Sequence, residues 1–64
     1  MGWCVEYRDL HGRDLKSPLS DTRELAIRHA CDLIQQHHEV RRVIGPNGEV
    51  VELAEIERRY RERL

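Results

Sequence analysis

Phenylalanine is absent from this chain of 64 residues, lysine occurs only at Lys16, and no apolar run approaches the length of a membrane span. With one Trp and two Tyr, large side-chain burial rests on Trp3, Tyr7 and Tyr60 and on aliphatic residues. Cys4 and Cys31 allow one bridge at most. That is not a disulfide framework of the secreted kind, and both read as free thiols that pack as small hydrophobes. Neither sign of charge dominates: 12 acids against 11 bases give a net charge of −1. The molecule as a whole therefore has no basic footprint for nucleic acid. Met1-Gly2-Trp3-Cys4 lacks the basic head and apolar stretch of a signal peptide. Glu6 stands where a myristoylation motif needs Ser or Thr. The chain is expected to be one cytoplasmic domain over 1–64. A chain this short buries only roughly 60% of its unfolded surface, so its core must be used well.

What is present is periodicity. Trp3-Cys4-Val5-Glu6-Tyr7-Arg8 alternates, with Trp3, Val5 and Tyr7 on one side, which predicts a strand with one buried face. His11-Gly12 marks a turn, and Arg13 to Lys16 returns as a short second strand. Ser17-Pro18-Leu19-Ser20 is a connector, because Pro18 disfavours helical backbone at Ser17. Asp21-Thr22-Arg23-Glu24 has the spacing of a capping box, with Asp21 as cap and Ser20 as its competitor. A helix follows to about His37. Ala26, Ile27, Ala30, Leu33 and Ile34 make its apolar stripe, and Glu24–Arg28 pairs on its wet side.

Val40 to Ile44 reads as a strand, Gly45-Pro46-Asn47-Gly48 as the strongest hairpin turn, and Glu49 to Leu53 as the returning strand. The apolar residues of this hairpin do not alternate cleanly, which calls for a bulge or a partly covered second face. Ala54 to Leu64 predicts a charged helix with a narrow stripe of Leu53, Ile56, Tyr60 and Leu64 and with Glu55–Arg59 and Glu57–Arg61 pairs. That helix should pack over sheet left uncovered or fray. The fold class is α+β, ββαββα: an antiparallel three- or four-stranded sheet covered on one face by one amphipathic helix, with a charged C-terminal helix. The other face carries Cys4, Glu6 and Arg8, with Val43 or Val50 as possible apolar members. It must be polar, covered, or paired with another copy.

Trp3-Cys4-Val5, Asp21-Thr22, Ala26-Ile27-Arg28-His29-Ala30 and the hairpin from Ile44 through Val51 together resemble a group of small uncharacterised bacterial domains of hairpin–helix–hairpin (ββαββ) plan. The similarity covers about residues 3–52, and the helix over 54–64 departs from it. The resemblance implies a fold and adds no catalytic residue, because every matching residue has an ordinary folding role.

Chemistry-bearing residues are scattered. Cys4, Cys31, His29, His37 and His38 have the atoms for a metal but not the spacing of known sites. His29 and Cys31, two apart on a helix, point about 160° away from each other. Neither thiol stands at a helix start, where a thiolate is favoured. Asp9, His11 and Asp14 read as a polar turn. The expectation is a non-enzymatic protein without cofactor, metal or small-molecule substrate, acting by protein association, including self-association as a homodimer. Nucleic-acid binding is the alternative. Arg41, Arg42, Arg58, Arg59, Tyr60 and Arg61 are the residues expected to form the contact surface, since Arg supplies phosphate contacts and Tyr60 a stacking ring.

Overall fold

The computed structural model describes residues 2–63. Element order is β1 (Cys4–Arg8), β2 (Asp14–Lys16), α1 (Arg23–Gln35), β3 (Glu39–Ile44), β4 (Val50–Glu52) and α2 (Leu53–Glu62). The strands form one antiparallel sheet in the order β2-β1-β3-β4. This is the expected ββαββα arrangement, with four strands.

Both hairpins close with the same loop. Gly12 N–H donates to the Asp9 carbonyl at 3.0 Å and Gly48 N–H to the Gly45 carbonyl at 3.3 Å. Gly12 and Gly48 then take φ of 80° and 82°, a region that costs glycine nothing. The connector is also ordered. Trp3 and Ser20 exchange backbone hydrogen bonds of 2.8 and 2.7 Å, and the Ser17 hydroxyl accepts from Val5 N–H at 2.9 Å.

The core lies on one side of the sheet. Val5, Val43 and Val51 are register partners across β1, β3 and β4, and Val40 faces Tyr7. Against them pack Ala26, Ile27, Ala30, Cys31 and Leu33 of α1 and Ile56 of α2, all buried. The alanines let α1 sit close to the strands. Leu53 and Tyr60 pack at the core's margin, so α2 lies beside α1 on the same face. It is not frayed over the described residues; Leu64 lies outside them. Val43 is thus a core residue, whereas Val50 stays on the open face at 49% exposure.

Non-alternation in β3 comes from a bulge. Glu6 pairs with Arg42 and Tyr7 with Val40, so Arg41 is the extra residue. It lets Val40 and Val43, three apart, both point into the core.

Several local expectations are corrected. Thr22, not Asp21 or Ser20, caps α1: its hydroxyl accepts from Leu25 N–H at 3.2 Å. The box fails because Glu24, which would have to fold back to Asp21, is bound instead to Arg59 of α2. Helix α1 stops at Gln35, because His37 adopts φ 69°. His37 N–H then donates to Ile34 at 2.9 Å and His38 N–H to Leu33 at 3.0 Å, which closes the helix end in a Schellman arrangement. Helix α2 begins at Leu53 directly after β4.

Candidate interaction surfaces

The six arginine and tyrosine positions singled out by sequence fall on two layers. Arg41 and Arg42 belong to the uncovered face of the sheet. Arg42 Nη1 donates to Glu6 at 2.9 Å, and Arg41 Nε lies 3.5 Å from Asp14. Arg58, Arg59, Tyr60 and Arg61 belong to α2, on the covered side. Tyr60 packs against the core. Arg59 turns toward α1 and donates to Glu24 with both terminal nitrogens. Arg58 and Arg61 are exposed on the outer side of α2. No single face gathers all six.

The open sheet face is a grid of cross-strand charges. One row reads Lys16, Glu6, Arg42, Glu52 across the four strands, alternating in sign. The next reads Asp14, Arg8, Glu39, with Arg41 beside it. Within the grid, Glu6 lies 4.0 Å from Lys16 and Asp14 lies 3.3 Å from Arg8. Opposite charges facing each other across antiparallel strands stabilise the pairing, here weakly because the groups are wet. The third row is apolar: Cys4, Ile44 and Val50. It ends at the outer edge of β4. Gly45 N–H bonds the Glu49 carbonyl at 2.8 Å. By the alternation of an antiparallel ladder, Val50 therefore directs its own N–H and C=O away from β3, toward that free edge.

Helices α1 and α2 are joined by ion pairs that the sequence did not reveal. Arg23 reaches Glu55 at 2.7 Å, Arg59 reaches Glu24, and Arg63 reaches Asp32 at 3.0 Å. Among the described residues these replace the expected Glu24–Arg28, Glu55–Arg59 and Glu57–Arg61 pairs. The hydrogen bond from Arg59 holds the Glu24 carboxyl below the ordinary carboxylate value, and Glu24 in turn raises Arg59. Asp32 raises Arg63 in the same way. Only the separation of these residues by 31 to 35 positions hides the pattern.

The remaining candidates are dispersed. Cys4 and Cys31 are free. Cys4 lies on the open face, while Cys31 is buried against α2, its sulfur 3.9 Å from the Ile56 carbonyl oxygen. His38 meets the Tyr7 ring edge-on at 5.5 Å. The Asp9 carboxylate is taken up by its own turn: it accepts from the N–H groups of Arg13 and His11, both at 2.9 Å, and these lower its pKa. Among the described residues no three His, Cys, Asp or Glu side chains are placed to hold a metal ion. No helix there is long and apolar enough to cross a membrane. No family model, curated protein or solved structure matches the chain.

Proposed function

We propose that the protein works by association with another protein chain, in the first place a second copy of itself, and not by catalysis. One observation carries this reading. The apolar row Cys4, Ile44 and Val50 lies on the uncovered sheet face and runs out at an edge where, among the described residues, the Val50 backbone donor and acceptor are unpaired. An open edge of this kind is a template for strand addition. Pairing β4 with its counterpart around a two-fold axis joins the two sheets and brings both Val50 side chains together. Arg41 and Arg42, already balanced by Asp14 and Glu6, form the polar rim on the same face. The opposite edge, of the same length, is protected by charge: β2 carries Asp14 and Lys16 and is followed closely by Pro18.

Sedimentation equilibrium from micromolar to millimolar protein tests the reading. A concentration-dependent dimer is expected, and Val50→Lys should shift it to monomer with an unchanged circular dichroism spectrum. Monomer at every concentration, or a dimer indifferent to Val50→Lys, overturns it.

A further inference from the structure

Strand β2 stands apart from the rest of the sheet. All of its residues are exposed, and neither helix reaches over it. Ser17 N–H donates to the Val5 carbonyl and Asp9 N–H to the Arg13 carbonyl, both at 2.9 Å. Tyr7 and Leu15, midway between those pairs, are therefore also a hydrogen-bonded pair of the ladder. Asp14 and Lys16 are then the residues that direct N–H and C=O outward, to the free edge. Their side chains stand on the open sheet face. Leu15 points to the other face, beside Tyr7, and is 37% exposed because no helix lies above it.

The charges of Asp14 and Lys16 turn away an apolar strand such as β4, but they match a strand that carries the opposite signs at the same spacing. Turned about a two-fold axis through Leu15, β2 is itself such a strand. Asp14 then lies opposite Lys16 of the second copy, and Lys16 opposite its Asp14. Both are pairs that exchange backbone hydrogen bonds. The two Leu15 residues form the intervening non-hydrogen-bonded pair, with Cα atoms about 4.5 Å apart, where facing side chains come closest. Slipping the register by two residues sets Asp14 against Asp14 or Lys16 against Lys16, which like-charge repulsion disfavours. Pro18 has no N–H and ends the ladder.

We propose that the β2 edge binds a second copy of the chain, β2 to β2, through this Asp14-Leu15-Lys16 match. The proposal rests on the reading that the chain acts by self-association, but it uses the edge opposite β4. Two-fold contacts at both edges do not close on themselves, so the unmodified chain should grow beyond a dimer at low salt.

Sedimentation equilibrium of the Val50→Lys chain, which lacks the β4 contact, tests the β2 contact alone. At about 0.01 M salt, where screening is weak, a dimer is expected at millimolar protein, and at about 1 M salt a monomer. In that background Asp14→Lys and Lys16→Glu should each raise the dissociation constant about tenfold or more, because both cross-edge pairs become repulsive. Mixed in equal amounts, the two variants should pair with each other, since one edge then carries only Lys and the other only acid. The side chains of Asp14 and Lys16 are 67% and 70% exposed, so both variants should keep the parent's circular dichroism spectrum. A Val50→Lys chain that stays monomeric at low salt, or variants that fail to restore each other's pairing, overturns the β2 contact and leaves the β4 reading standing. A dimer that ignores Val50→Lys yet follows the charge swap overturns the β4 reading and leaves the β2 contact standing.

Discussion

The hydroxyl of Ser17 accepts the Val5 amide proton at 2.9 Å and donates to the Pro18 carbonyl at 3.1 Å, and the residue is 7% exposed. Val5 itself is fully buried, so its N–H has no easy route to water. Ser17→Ala leaves that donor without a partner and should cost about 1–3 kcal/mol, read from the midpoint of urea unfolding. An unchanged midpoint would mean that water replaces the hydroxyl. Gly45 is fixed for a different reason. Its backbone passes under the Trp3 ring, and a Cβ there would lie 2.8 Å from the ring. Both facts involve partners far away in the chain. In the sequence Ser17 is one polar residue of a connector and Gly45 one residue of a turn, so neither role was legible.

Element by element, more could be read. Alternation in Trp3–Arg8, the stripe in Ala26–Ile34 and the Gly-Pro-Asn-Gly turn are local signals, and each element they mark is present. The uneven Val40–Val43 spacing signalled a bulge, which the structure places at Arg41. Helix ends were less legible, because side chains that compete for a cap also answer to tertiary partners. Glu24 is the case in point, drawn from the expected box to Arg59. At the other end of α1, His37 holds a left-handed backbone that ordinarily belongs to glycine. His37→Gly relieves steric strain and loosens the unfolded chain; the first effect is larger at positive φ. The variant should be more stable by about 0.5–1 kcal/mol, measured by thermal unfolding. Destabilisation would show that the imidazole contributes a contact of its own.

At the scale of the molecule, the two layers are closed on the helix side by ion pairs and left open on the strand side. The interhelical pairs could not be read from sequence, since they depend on α2 lying beside α1. They do have a consequence for acid stability. Glu24, held low chiefly by the Arg59 hydrogen bond, and Asp9, held low chiefly by the Arg13 N–H, lie below their ordinary values of 4.5 and 3.8. Their contribution is full above those values and is lost as pH falls through the depressed ones. Melting temperature should hold from neutrality to about pH 4.5 and then decline, and Glu24→Gln should flatten the decline. Both groups are at the surface, so added salt should weaken the effect. A variant with the parent's acid profile would place the sensitivity in other carboxylates.

The additional residue in β3 also limits how the chain can misalign while folding. Upstream and downstream halves of that strand are out of phase, and only an alignment that carries the bulge satisfies both. Sliding by one position exposes the valines and drives a guanidinium inward. Uninterrupted pairing is no better, because it turns either Val40 or Val43 toward water, so the irregularity has to form together with the ladder.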